Sequence, residues 1–92
     1  MPFKAIHIIV HGIVQGVGFR FFVRERSHQY GIKGWVRNRS DGSVEIHAEG
    51  EEERLNEFIA EVRKGPSFGH VSRLVKEWVE PKNTYNDFRI VF

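Results

Sequence analysis

The chain contains no cysteine in its 92 residues, which excludes disulfide bonds, thiolate nucleophiles and cysteine-ligated zinc or iron–sulfur centres. No stretch approaches the roughly 18 consecutive apolar residues that a membrane span needs. The start, Met1-Pro2-Phe3-Lys4, lacks the apolar run and cleavage site of a signal peptide, so the expected location is the cytoplasm. Excess charge of one sign is also scarce. Fourteen Lys and Arg against 12 Asp and Glu leave a formal charge of +2, a weak bias towards anionic ligands and less than nucleic-acid binders usually carry. Internal repeats and low-complexity stretches are absent. What remains, 40% hydrophobic and 28% charged residues, is the composition of an ordinary globular chain. Its length makes one domain, residues 1–92, able to bury roughly 60–70% of its unfolded surface.

Hydrophobic periodicity divides the chain into alternating elements. Residues 4–14 are β-branched and short enough for a strand. Ile6, Ile8 and Val10 share one face, while Ala5, His7, Ile9 and His11 share the other, partly wet one. His7 and His11 stand about 13 Å apart at ~3.3 Å per residue, too far to hold one metal ion, and read as surface histidines. Phe19, Phe22, Val23, Ser27 and Tyr30 recur at helical spacing, with Gly31 placed to end the helix and Ile32 to pack back on its last turn. His28 falls between core positions and reads as a surface residue. Residues 32–39 and 43–49 read as strands joined by a tight turn at Asp41-Gly42. In the second of them Val44, Ile46 and Ala48 alternate with Ser43, Glu45, His47 and Glu49, so Asp41 is a turn former and Glu45 a solvated strand residue. A helix over residues 51–64 presents Leu55, Phe58, Ile59 and Val62 on one stripe, with acidic residues first and Arg63 and Lys64 last, as the helix dipole favours. After a breaker loop at residues 65–69, strands are expected at residues 71–80 and, from Phe88, at the terminus. The order is β-α-β-β-α-β with a short extra C-terminal strand. This is an α+β, ferredoxin-like sandwich, an antiparallel sheet with two helices on one face. Fold alone does not decide function, because this plan hosts many.

The chemistry gathers where the first strand meets the first helix, at Gly12-Ile13-Val14-Gln15-Gly16-Val17-Gly18-Phe19-Arg20. Glycines let several backbone N–H groups turn towards one point, the helix start adds partial positive charge, and an arginine supplies a forked donor for phosphate or carboxylate. That is an anion cradle. It lacks the third glycine of a dinucleotide fingerprint and the Gly-Lys-Ser/Thr of a Walker loop, so a nucleotide cofactor is not expected. No acidic cluster adjoins it, so the sequence implies no metal.

Paired with Gly34-Trp35-Val36-Arg37-Asn38, the following Asp41-Gly42-Ser43-Val44 and the later Gly50, the loop becomes specific. The two segments, GIVQGVGFR and GWVRN with DGSV, resemble the two signatures of the acylphosphatase family, and the likeness extends over the whole chain in length and element order. The resemblance implies a stand-alone, cofactor-free and metal-independent hydrolase of the carboxyl–phosphate bond, acting on a small-molecule acyl phosphate; the chain's small size makes a monomer the default, and its charge and apolar pattern lead to no expected nucleic-acid or membrane partner. The resemblance also implies a phosphate-binding loop of Gln15, Gly16, Val17, Gly18, Phe19 and Arg20, a phosphate-binding arginine at Arg20 and a water-positioning asparagine at Asn38.

Asn38 can aim a water by accepting one hydrogen bond and donating another, but it cannot take its proton. A missing general acid is tolerable because a carboxylate leaving group has a conjugate acid of pKa about 4 and departs unprotonated. Two other readings compete. Trp35, Arg37 and Arg39 invite an RNA-recognition surface, against which residues 43–49 lack the aromatic run such modules carry. A catalytically silent ligand sensor, or a part of a larger carbamoyl-transfer protein, is the other.

Overall fold

The computed structural model describes residues 2–92. The elements follow as β1 (Phe3–Ile13), α1 (Phe19–Gln29), β2 (Lys33–Asn38), β3 (Val44–Glu51), α2 (Glu52–Lys64), β4 (His70–Val79) and β5 (Phe88–Ile90). They form one five-stranded sheet in the order β4-β1-β3-β2-β5. β3 lies at its centre, flanked by β1 and β2, and β1, the longest strand, is interior and buries one apolar face. Ile6, Ile8 and Val10 stand opposite Ala48, Ile46 and Val44 of β3, and all six are buried against the helices. The α2 stripe of Leu55, Phe58, Ile59 and Val62 is buried against that layer as its periodicity predicts. On α1, Phe19, Val23 and Ser27 are buried, with Phe22 and Tyr30 packed at the margin of the core.

The predicted α1 terminus holds. Gly31 takes a left-handed φ of 67°, and the Ile32 N–H returns to the Ser27 carbonyl at 2.8 Å, which ends the helix and drives Ile32 into the core. The predicted hairpin also holds. The Arg39 N–H donates to the Ser43 carbonyl at 2.9 Å and the Gly42 N–H to the Arg39 carbonyl at 3.2 Å. Asp41 Oδ1 accepts from the Ser43 N–H at 3.0 Å and its hydroxyl at 2.5 Å, and these two bonds hold the Asp41 carboxyl below its ordinary pKa.

Two expectations change. The sheet is mixed rather than wholly antiparallel, because β5 runs parallel to β2, with Phe88 opposite Gly34 and Ile90 opposite Val36. The reason is geometric. β4 finishes beside Ala5, at the end of the sheet where β1 and β2 begin, so residues 80–87 cross that end as a strap and the chain enters the far edge travelling in the same sense as β2. Nor is the polar face of β3 solvated. The strap covers its lower half, leaving His47 and Glu49 only 6% and 1% exposed. Higher up, Glu45 is 14% exposed in its side chain, paired with His7 Nε2 at 2.6 Å and Arg37 Nε at 2.6 Å.

Candidate active site

β1 and β2 run in the same direction with β3 between them. Their C-terminal ends therefore meet at one edge of the molecule, which brings the glycine-rich loop and Asn38 to the same end. The loop is pinned from below and open above. Val14 and Phe19 are buried and Val17 packs against the core, whereas Gly16 and Gly18 are exposed, with left-handed φ of 75° and 76°. Space is not the constraint at these glycines, since an added Cβ would meet nothing within 4 Å. The constraint is backbone sign, which only glycine takes without strain. Gly18 serves as the N-cap of α1 without a side chain to cap it. Among the described residues, the N–H groups of residues 15–18 donate to no protein acceptor. The first N–H groups of α1 lack intrahelical partners as those of any helix do.

Electrostatics distinguish this helix start from the other one. The first turn of α2 carries Glu52 and Glu53, while the first turn of α1 carries no acidic residue. Its charged group is Arg20, half-buried, which makes no hydrogen bond or ion pair with the described residues and lies 5.8 Å from the centroid of the Phe92 ring. An unneutralised guanidinium at the positive end of a helix dipole, beside undonated loop amides, has the chemistry to receive an anion.

Asn38 is the last residue of β2, opposite Val44. Its Oδ1 is buried and is, among the described residues, the side-chain polar atom of that kind without a hydrogen-bond partner. An unpaired buried acceptor costs about 1–3 kcal/mol.

Gln15 was expected as a member of the phosphate loop, and the structure adds a contact that periodicity and motif reading did not supply. Its Nε2 donates to the Arg39 carbonyl at 2.7 Å and the Ser43 carbonyl at 2.9 Å. The loop is thus tied to both arms of the hairpin that begins at Asn38. A carboxamide between valine and glycine was the available signal, and it does not say which backbone it will reach. A cleft of about 710 Å³ opens elsewhere, at the opposite end of the sheet, where His28, Tyr30, Lys33, Glu49, Arg54 and Asn83 line it. Its lining mixes both charges, whereas the loop end concentrates donors, and donors decide where an anion binds. Among the described residues there is no group of three or more His, Asp or Glu placed to hold a metal ion.

Comparison with known proteins agrees with this geometry. A family model described as Acylphosphatase matches residues 6–90. A protein named Acylphosphatase from Thermotoga petrophila is 49% identical over 89 residues, covering 97% of this chain and 98% of that protein. The crystal structure of acylphosphatase from Bacillus subtilis superimposes with a TM-score of 0.93 at 40% identity, over 97% of this chain and 99% of the other. Full-length HypF in its phosphate- and nucleotide-bound form matches with a TM-score of 0.92 at 40% identity, over 99% of this chain but 12% of that much longer one.

Proposed function

The chain belongs to the acylphosphatase family, and from that premise we propose a division of labour for the hydrolysis of acyl phosphates. Arg20 and the amides of Gln15, Gly16, Val17, Gly18 and Phe19 surround the phosphoryl oxygens, and Asn38 positions the attacking water. The observation that carries this reading is Arg20, which among the described residues is a guanidinium without an acidic partner in the first turn of α1, beside loop amides that donate to no acceptor of those residues. Donors fixed in place before the reaction stabilise charge as it spreads over the phosphoryl oxygens, without reorganisation at the moment of transfer.

The step balances without a protein acid or base. Water oxygen forms a bond to phosphorus, in line with the bond from phosphorus to the acyl oxygen, which breaks. The carboxylate leaves with its electron pair and needs no proton, given a conjugate-acid pKa of about 4. The proton lost by water passes to a phosphoryl oxygen, and the products are a carboxylate and inorganic phosphate. The unpaired Oδ1 of Asn38 supports a role as acceptor from that water, with orientation rather than proton removal as its contribution. No metal ion takes part. The proposal includes a monomeric cytoplasmic enzyme without a nucleic-acid or membrane partner; light scattering on the eluted protein checks the first of these. Among the described residues no helix is long and apolar enough to cross a membrane.

Turnover of benzoyl phosphate by the purified protein tests the reading. Wild type is expected to exceed the buffer rate by orders of magnitude, with Arg20→Ala and Asn38→Ala both severely slowed and chelators without effect. Since no protein group exchanges a proton, the pH–rate profile should follow substrate ionisation. Wild-type turnover no faster than buffer removes the activity, and a steep dependence on a histidine-like pKa removes the proton route.

A further inference from the structure

Resting on the roles given above to Arg20 and Asn38, we propose that Gln15 is a positioning residue, not a side-chain ligand of phosphate. It sets the distance between the loop that holds the phosphoryl group and the strand end that holds the water. A primary carboxamide has two N–H donors on one nitrogen. Those of Gln15 are directed at two carbonyls, Arg39 at 2.7 Å and Ser43 at 2.9 Å, so neither remains for a substrate oxygen. The carbonyls come from opposite arms of one hairpin. Arg39 follows Asn38 directly, and Ser43 precedes Val44, the residue facing Asn38 across the sheet. The Arg39 N–H closes the same pair by donating to the Ser43 carbonyl at 2.9 Å. A single nitrogen therefore spans the mouth of the hairpin at the point where Asn38 leaves β2.

The loop needs such a tie. Val14, Val17 and Phe19 anchor it to the helix layer and core, but Gly16 and Gly18 have no side chains with which to grip the hairpin, and β1 is separated from β2 by β3. Phosphoryl group and water would then be held by different parts of the molecule, joined at this end through Gln15. In-line attack depends on their relative placement, and a shift of about 1 Å can lower a rate by about 10²-fold without weakening either binding event.

The consequence is a coupling between Gln15 and Asn38 that a generally stabilising side chain would not show. Gln15→Ala is expected to lower kcat by about 10- to 100-fold, while inhibition by inorganic phosphate stays within about twofold of wild type. In the Asn38→Ala background the same substitution is expected to change kcat by less than about twofold, because no positioned water is left to misalign. Gln15→Glu keeps the size and shape of the side chain but puts acceptors against two carbonyls. It is expected to be at least as slow as Gln15→Ala, and it repeats the cycle should the alanine variant fold poorly. Thermal melts of every variant report folding directly. Losses that multiply in the double variant, or phosphate inhibition that weakens in step with kcat, overturn the proposal and leave the Asn38 role standing. An Asn38→Ala enzyme as fast as wild type overturns both, so the two failures are told apart.

Discussion

At the end of the sheet where β1 and β2 finish, polar groups are left wanting partners. Among the described residues Arg20 has no carboxylate, the loop amides have no protein acceptor, and Asn38 Oδ1 is buried and unpaired. At the other end, where β1 and β2 begin, the reverse holds. Glu49 is buried, yet it accepts from His47 Nε2 at 2.6 Å, the Lys82 N–H at 2.9 Å and the Asn83 N–H at 3.1 Å. The His47 ring lies between Trp35, nearly parallel at 6.1 Å, and Tyr85 at 5.4 Å, and the indole N–H of Trp35 donates to the Tyr85 hydroxyl at 3.3 Å. Asn83 reaches Glu49 from a left-handed φ of 57°, a conformation asparagine tolerates better than most residues. The strap end has its polar groups satisfied, whereas the loop end, on the proposal above, leaves donors and an acceptor to a substrate. Substitutions at the two ends should therefore separate activity from stability.

The largest effect is expected at the loop end. Arg20→Ala should lower kcat by about 10³- to 10⁵-fold, the range for an arginine that neutralises charge in phosphoryl transfer. The thermal midpoint should barely move, because the side chain makes no hydrogen bond or ion pair with the described residues. A variant that melts well below wild type would show that Arg20 also supports the fold, and would break the contrast between the ends. Next comes Glu49→Ala. It leaves two strap N–H groups and His47 without their acceptor in a buried place, and losing one partner of a buried pair costs about 3–5 kcal/mol. Denaturant unfolding should record that loss, while the folded fraction turns over acyl phosphate at the wild-type rate.

Periodicity made one half of this comparison legible and hid part of the other. The inward faces of β1 and α2 were readable because burial of Ile6, Ile8 and Val10, and of Leu55, Phe58, Ile59 and Val62, is a local consequence of strand and helix repeat. β4 was less regular because it is an edge strand with most side chains exposed, so its alternation is under little pressure. Glu49 and His47 occupy polar positions of an alternating strand, and the strap, arriving from more than 30 residues away, covers them. The parallel pairing of β5 depends on the same crossing. Within the site, the glycines and Arg20 carried their own physical meaning, whereas Asn38 was singled out by family resemblance. The Gln15 contact spans 24 and 28 residues and depends on where two loops meet, which no local pattern records.

A smaller effect should follow acidification. Burial alone would raise the Glu49 carboxyl, but hydrogen bonds from the Lys82 N–H, His47 and the Asn83 N–H outweigh it and hold its pKa below the ordinary glutamate value. Glu45 is lowered in the same way, burial being outweighed by His7 and Arg37. A depressed carboxyl stabilises the fold fully above its unfolded pKa, about 4.3, and loses that contribution as pH falls through the lower folded value. The contribution of these two carboxyls to the thermal midpoint should therefore be constant from neutrality to about pH 5 and decline only in the acid range below. Glu49→Gln should flatten that decline. If its acid profile matches wild type in slope, Glu49 is not a source of the acid sensitivity.

The smallest effect sharpens the comparison most, because it touches one bond at the satisfied end and nothing at the loop. Tyr85→Phe removes the hydroxyl that accepts from Trp35 Nε1 at 3.3 Å, yet keeps the ring beside His47. The indole N–H is left without its partner in a partly buried place, so a loss of about 1 kcal/mol is expected, which for a domain of this size lowers the melting temperature by roughly 4–8 °C. Neither the strap backbone bonds to Glu49 nor the cradle is altered. Accordingly kcat and KM for benzoyl phosphate should match wild type at temperatures where both proteins are folded. A fall in kcat with an unchanged melting temperature would mean that the strap communicates with the loop through the sheet, and that the two ends are coupled after all.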